Sequence, residues 1–257
     1  MKAMIFAAGL GTRLKPLTDN IPKALVPVCG VPLIGHVCRR LRSSGIYEAV
    51  VNVHHFADKV EDWTRRQDIL SLEISDERDC LLETGGAVLH ARPFLEGCGS
   101  FLIHNVDIIS DLDIRWFASQ VRPDALATLL VSRRKSSRQL LFEPRTMRLA
   151  GWRNLTTGEL RSPYPDLNPD ECISMAFSGI HILSDSCFDT MERYAMTGNL
   201  LQDGLPARFP IMDFYLWACA CHNVYGVVAD NLTLMDVGKS DTLEQAERML
   251  SESVNDR

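Results

Sequence analysis

The sequence of 257 residues predicts an α/β fold in which parallel strands alternate with crossover helices, the doubly wound arrangement. Two observations predict it. Through the first half of the chain, short apolar runs alternate with segments whose apolar residues recur at helical spacing. The first apolar run, 3–8, ends at two glycines, where open α/β sheets bind ligands. An apolar content of 46% is ordinary for a globular protein with its own core.

The predicted helices share apolar residues that recur every three or four positions, so that one face of each can pack against a sheet. In the first, this stripe begins at Leu33 and Gly45 ends the helix. The predicted strands share short runs rich in branched and aromatic side chains. Predicted helices span 32–44, 56–66, 84–92, 185–194, 211–221 and 239–251. Predicted strands span 3–8, 47–53, 72–74, 101–104, 125–131, 175–183, 224–228 and 233–237.

The stretch 133–174 differs from the rest because it is polar and holds four prolines. Residues 140–142 and 147–152 are predicted to pair as a small β excursion. Residues 156–171 show no periodicity and predict a long loop. Loops of this length are often lids or specificity elements, and a plain surface excursion is the alternative.

Charge and composition exclude several classes of protein. A net charge of −6 argues against a nucleic-acid partner. No apolar run approaches the length that spans a bilayer, and no signal peptide precedes the first strand, so we expect no membrane partner and a cytoplasmic location. The eight cysteines include no Cys-x-x-Cys pair, which argues against a structural zinc site.

The segment after the first strand is suited to bind a polyphosphate. Glycines at positions 9 and 11 let the backbone approach a ligand and direct N–H groups at anionic oxygens. Arg13, Lys15 and Lys23 supply positive charge. The dinucleotide fingerprint fails because Leu14 occupies its third glycine position, and the P-loop pattern is absent. An ordinary strand-to-helix turn with solvated basic residues is the alternative.

This segment resembles the signature of the sugar-phosphate nucleotidyltransferases, which join a sugar 1-phosphate to a nucleoside triphosphate and release pyrophosphate. The resemblance begins with Gly9-Leu-Gly-Thr-Arg-Leu-x-Pro-Leu-Thr18 and Pro22-Lys-Ala-Leu-x-Pro27. It extends through Leu82-Glu-Thr-Gly-Gly86, Asn105-Val-Asp107, Phe177-Ser-Gly-Ile180 and Met235-Asp-Val-Gly238.

The resemblance implies a Rossmann-like doubly wound mixed sheet of the nucleotidyltransferase type. It implies a single domain, 1–257, with a nucleotide-binding half at about 1–131 and a sugar-binding half at about 132–257. Some family members add a C-terminal β-helix of hexapeptide repeats. This sequence shows no such repeats, so we expect the transferase domain alone, as a monomer or small homo-oligomer.

The resemblance also assigns roles to residues. It implies that Arg13, Lys23 and Asp107 are catalytic and that Asp107 and Asp236 bind Mg²⁺. It implies that Asn105 contacts both substrates and that Ser178 and Gly179 contact the sugar. The implied nucleotide-binding residues are Ala7, Ala8, Gly9, Leu10, Gly11, Thr12, Arg13, Lys23, Glu83, Gly85, Gly86 and Asn105.

Several of these residues could instead have a purely structural role. Asp236 after a strand could be a helix cap, Thr84 could cap the helix that carries Gly85 and Gly86, and Gly179 could be a plain strand glycine. The family usually has glycine where this chain has Val106, and valine cannot take the positive φ open to glycine.

The substrates implied by the resemblance are a nucleoside triphosphate and a sugar 1-phosphate. The short chain and the motifs at 82–86 and 177–180 look most like N-acetylmuramate-1-phosphate uridylyltransferases. Mannose- or heptose-1-phosphate guanylyltransferases, glucose-1-phosphate thymidylyl- or uridylyltransferases and phosphocholine cytidylyltransferases are alternatives. The rival from another class is an inactive nucleotide-sugar sensor. We expect 156–171 to select the sugar rather than bind the triphosphate.

Overall fold

The computed structural model describes residues 1–201, 205–238 and 240–255. Within them, strands and helices alternate through the first half of the chain, as the sequence predicts. The helices α1 to α8 are, in order, Leu33–Ser43, Ala57–Arg66, Glu83–His90, Arg92–Leu95, Ile114–Ser119, Cys187–Thr197, Ile211–Ala218 and Ser240–Asn255. The strands β1 to β14 are Lys2–Phe6, Pro27–Val28, Val31–Pro32, Glu48–Val53, Ser71–Asp76, Ser100–Asn105, Ile108–Ser110, Ala125–Ser132, Arg138–Phe142, Leu149–Asn154, Leu160–Arg161, Ile173–Ser184, Asn223–Val228 and Leu234–Asp236.

The chain forms two compact units that are interleaved along the sequence. The first unit comprises Lys2–Leu81, His104–Ile114 and Thr233–Arg257. The second unit comprises Leu82–Ile103 and Arg115–Leu232, together with Met1. The assignment of nucleotide and sugar binding to the halves 1–131 and 132–257 stays a prediction, because compactness of the chain does not report on ligands.

Parallel strands form the centre of the first unit. Strand β4 pairs in parallel with both β1 and β5, with Ala3 opposite Ala49 and Glu48 opposite Ser71. The apolar stripe of α1 is buried as its spacing predicts. In a separate two-stranded sheet, β14 pairs with β7 in the antiparallel sense, with Asp236 opposite Ile108.

Antiparallel pairing dominates the second unit. Strand β12 pairs with β8 and β9 in this sense, whereas β13 lies parallel to β8. The predicted β excursion is confirmed, since β9 pairs with β10. The loop prediction for 156–171 was wrong in part: Leu160–Arg161 pairs with β10, and Pro169–Glu171 forms a 3-10 turn.

The elements that were not predicted from the sequence are mainly short. Three 3-10 turns lie at Thr12–Leu14, Leu17–Asp19 and Lys23–Leu25, and the hairpin strands β2 and β3 have two residues each. Elements of this length carry too few side chains to show a period. Residue 239, where the last predicted helix begins, lies outside the described residues.

Among the described residues, no helix has both the length and the apolar content that crossing a bilayer requires.

A buried histidine makes the stability of the fold depend on pH. His104 is 1% exposed, and its Nδ1 lies 2.8 Å from the carbonyl oxygen of Asn105. Burial lowers the pKa of His104 from its usual 6.5 to about 4; the Arg40 charge acts in the same direction, while the Asn105 carbonyl and the Asp107 carboxylate oppose it. The ring is therefore neutral in the folded protein at neutral pH.

We predict that the free energy of unfolding falls as pH drops below about 6.5, by up to roughly 1.4 kcal/mol per pH unit. The folded pKa lies below the unfolded one, so this contribution is complete above the unfolded value and is lost on acidification towards the folded value. Urea unfolding between about pH 7 and about pH 5 measures it. The His104→Gln variant should show a shallower slope than the wild type. Equal slopes for the two proteins would contradict the assignment.

Candidate active site

The loop after β1 is shaped by a glycine that no other residue could replace without strain. Gly11 has φ +65°, and a Cβ added there would lie 2.9 Å from Cγ2 of Thr18 and 3.1 Å from Cβ of Lys23. The Gly11 carbonyl oxygen accepts hydrogen bonds from Thr18 Oγ1 at 2.8 Å and from the N–H of Leu14 at 2.9 Å. The loop is therefore held by contacts of its own backbone with the turns that follow it.

The start of the loop is attached to the neighbouring strand by a buried amide. The N–H of Ala7 donates to Oδ1 of Asn52 at 2.8 Å, and Asn52 Nδ2 donates to Oε1 of Glu77 at 2.8 Å. Asn52 and Glu77 are 4% and 3% exposed. Sequence reasoning missed this connection; the only signal was a polar amide inside an apolar strand.

An ion pair joins two of the predicted catalytic residues. Lys23 follows Pro22 at the start of a 3-10 turn, and its Nζ donates to Oδ2 of Asp107. Both side chains are largely buried, with 10% and 17% of their surface exposed. The sequence predicted each residue for the site but not their pairing, because the two residues are 84 positions apart in the chain.

The second predicted metal ligand is placed by the pairing of β14 with β7. Asp236 lies opposite Ile108, the residue after Asp107, and the N–H of Val237 donates to the Asp107 carbonyl oxygen at 2.8 Å. Asp236 thus ends β14 beside the start of β7, and Asp107 directly precedes β7. Val106 is not among the residues with positive φ; it is buried, and its N–H donates to the Phe6 carbonyl oxygen at 3.1 Å.

Gly238 leaves room for the charged groups of the site. A Cβ added there would lie 2.7 Å from Oδ1 of Asp236 and 2.8 Å from Nη2 of Arg13. Arg13 and Asp236 therefore approach the same point of the backbone. The first unit brings together Arg13, Lys23, Asp107 and Asp236, four of the residues predicted for the reacting phosphates and the metal.

The charges of this cluster suit a bound polyphosphate with a hard cation. Its two cationic side chains can neutralise phosphate oxygens, and its two carboxylates are ligands of the kind that Mg²⁺ prefers. Across the described ranges, no group of three or more His, Cys, Asp or Glu side chains is arranged to hold a metal. Two carboxylates still fit Mg²⁺, which usually takes one or two protein carboxylates and completes its shell with substrate phosphates and water.

The residues predicted to recognise the base lie in the second unit. Glu83 begins α3 with φ +61° and pairs with Arg208 at 3.3 Å. The N–H groups of Gly85 and Gly86 donate to the Phe209 carbonyl oxygen at 2.8 and 3.1 Å. A Cβ on Gly85 would lie 2.3 Å from the Phe209 ring, and one on Gly86 would lie 2.2 Å from the Ala207 carbonyl oxygen. These glycines allow two chain segments to pack closely, and their contact with a base stays a prediction.

The predicted sugar residues of the second unit lie in β12. Ser178 is 1% exposed, and Gly179 has φ +74° at the irregularity between Phe177 and His181 in the pairing with β8. Gly179 is thus more than a plain strand glycine, because few other residues adopt this conformation. Asn105 ends β6 in the first unit. The roles of all three in sugar binding stay predictions.

The fold and this cluster are those that the resemblance to the nucleotidyltransferases implies, and comparison with known proteins shows the family. The nucleotidyl transferase family model matches residues 2–139, more than half of the chain, so the chain belongs to this family.

Two curated relatives are similar to part of the chain. The chain is 50% identical over 111 residues to an N-acetylmuramate alpha-1-phosphate uridylyltransferase from Caulobacter vibrioides, over 42% of this chain and 46% of the relative. It is 43% identical over 116 residues to the protein of that name from Neisseria meningitidis, over 44% of this chain and 49% of the relative. The chain spans about half the length of the curated relatives it matches.

A solved structure supports the fold over nearly the whole chain. A putative glucose-1-phosphate thymidylyltransferase from Bacillus anthracis superposes with a TM-score of 0.74 at 19% identity, over 97% of this chain and 94% of that chain. At this identity the likeness confirms the predicted α/β fold and says nothing of the substrate.

The guanidinium of Arg13 lies beside Gly238, close to Asp236. If its guanidinium stabilises charge that develops on the leaving pyrophosphate, Arg13→Ala should lower kcat by about 100-fold or more, as loss of an oxyanion donor does. Steady-state kinetics of pyrophosphate release measures this. The matched control is Lys2→Ala, which removes an exposed cation of β1 that pairs with Glu48 at 3.3 Å and lies outside the glycine loop; it should keep the wild-type kcat. A rise in KM with unchanged kcat would instead show uniform binding of ground and transition states.

Proposed function

We propose that this chain transfers UMP from UTP to a sugar 1-phosphate, giving a UDP-sugar and pyrophosphate, with N-acetylmuramate 1-phosphate as the favoured sugar. The observation that carries the proposal is the cluster of Arg13, Lys23, Asp107 and Asp236 beside a glycine loop in one compact unit. The reaction needs charge neutralisation and in-line positioning more than covalent help.

Each charged group of the cluster, and the glycine loop beside it, has a role in the proposed reaction. Backbone N–H groups of 9–13 bind the β and γ phosphates, and Arg13 offsets charge on the departing pyrophosphate. Lys23 binds the oxygens of the reacting phosphates, and Asp107 positions its ammonium group before substrate arrives. The attacking oxygen belongs to a phosphate that is already anionic, so no general base is required.

Mg²⁺ is the cofactor that the carboxylates suit, with Asp107 and Asp236 as its protein ligands. When bound, the ion neutralises charge on the triphosphate and polarises its α-phosphate. We place the enzyme in the cytoplasm, as a monomer or small homo-oligomer.

The choice of base and sugar is supported by the two relatives and by the motifs at 82–86 and 177–180. Glu83 can accept a hydrogen bond from an imino N–H, which uracil shares with thymine and guanine. Guanylyl and thymidylyl transfer therefore remain alternatives within the reaction class, and cytidylyl transfer to phosphocholine is the most distant one. We assign Ser178 and Gly179 to the sugar.

An inactive nucleotide-sugar sensor is the alternative from another class. A sensor needs affinity for the nucleotide but no group that acts on the leaving pyrophosphate. The retention of both aspartates, Lys23 and Arg13 favours the enzyme, and turnover decides between the two.

The test is a matrix of nucleoside triphosphates against sugar 1-phosphates, with pyrophosphate release as the readout. We expect release with UTP, N-acetylmuramate 1-phosphate and Mg²⁺ together. Asp107→Asn and Asp236→Asn should each abolish it while circular dichroism shows a retained fold. Asp19→Asn, an exposed aspartate of the same unit, is the control and should stay active. Near wild-type release by either site variant would rule out the metal pairing, and no release with any substrate pair would favour the sensor.

A further inference from the structure

The β excursion builds a cleft in the second unit, and none of the residues proposed for the triphosphate or the metal lines it. It has a volume of about 560 Å³ and is lined by Arg134, Arg138, Trp152, Arg161, Phe177 and Asp213, among others; we call it the arginine cleft. The register of the paired strands places several of these side chains on one side of the cleft. Trp152 lies opposite Arg161, and Asn154 lies opposite Arg138. Since alternate residues share a face, Arg138, Trp152 and Arg161 face the cleft together.

Positive charge in the cleft is only partly neutralised by the protein. Arg161 Nη2 pairs with Oδ1 of Asp213 at 2.7 Å, and its guanidinium carbon lies 5.7 Å from the centroid of the Trp152 ring. Arg134 Nη2 donates to the Phe177 carbonyl oxygen at 2.7 Å, which leaves its other donors for a ligand. The guanidinium of Arg138 forms no ion pair with any residue that the structure describes.

The excess of positive charge is confined to the cleft, since the whole chain carries a net charge of −6. Three arginines line the cleft against two carboxylates, those of Glu159 and Asp213. With Arg161 held by Asp213, two guanidinium groups face one carboxylate. Such a site favours an anion, and a planar fork of donors matches a carboxylate in two-point contact. The Trp152 ring offers an apolar face to the rest of the ligand.

The cleft adjoins the segment assigned to the sugar. Phe177 lines the cleft and directly precedes Ser178 and Gly179 in β12. We propose that the arginine cleft binds a carboxylate carried by a substituent of the sugar, so that the acceptor is an acidic sugar 1-phosphate and Arg138 determines this specificity. This inference rests on the proposed function, because it concerns the second substrate of that reaction. N-acetylmuramate satisfies it through its lactyl ether carboxylate, which N-acetylglucosamine lacks.

The experiment compares N-acetylmuramate 1-phosphate with N-acetylglucosamine 1-phosphate on the wild type and on Arg138→Gln. We expect the wild type to prefer the acidic sugar, and the variant to lose about tenfold or more in kcat/KM for it, as expected for a charge-assisted hydrogen bond. Its kcat/KM for the neutral sugar and its affinity for UTP, measured by titration without sugar, should not change. Arg138→Glu should lose more than Arg138→Gln.

The matched control is Arg145→Gln, which removes the same charge at the turn between β9 and β10 outside the cleft. It should behave as the wild type. Equal losses on both sugars, equal losses in the control, or wild-type turnover with neutral sugars alone would overturn the acidic subsite while leaving the transfer reaction intact. Direct titration with each sugar phosphate decides the subsite even if transfer itself fails. Binding that does not distinguish the two sugars would contradict it.

Discussion

The ion pair of Lys23 with Asp107 is the contact on which the site depends. It joins the turn that follows the glycine loop to the turn that follows β6, and the Asp107 backbone is in turn bonded to Val237 after β14. Three distant stretches of sequence therefore meet at one pair of charges. Because both side chains are largely buried, loss of either partner leaves the other without compensation, which costs far more than the intact pair contributes.

This constraint explains why two glycines flank the cluster. Gly11 lets the loop pass within contact distance of Lys23, and Gly238 lets Arg13 and Asp236 share one point. Any side chain at either position would push a charged group away from its neighbours. A chain with a net negative charge can bind a polyphosphate only where its cations are held together, and these close approaches hold them.

Much of this was predictable from the sequence, and the failures have physical causes. The alternation of periods predicted the α/β fold, and the glycine loop with Lys23, Asp107 and Asp236 predicted the cluster. The contacts of Asn52 were missed because its partners, Ala7 and Glu77, follow the ends of two other strands, and no local pattern reveals which strands are neighbours. The packing of Gly85 and Gly86 against Phe209 was not predicted, because this contact forms only after distant segments of the chain pack; their contact with a base stays a prediction.

The most direct test of the account is a double-mutant cycle on the central pair, measured as the free energy of unfolding of Lys23→Met, Asp107→Asn and the double variant. If the two charges stabilise each other, each single variant leaves a buried charge unpaired. The double variant should then be less destabilised than the sum of the singles, by about 1 kcal/mol or more. Additive effects, within about 0.5 kcal/mol, would contradict the claim that this pair organises the site.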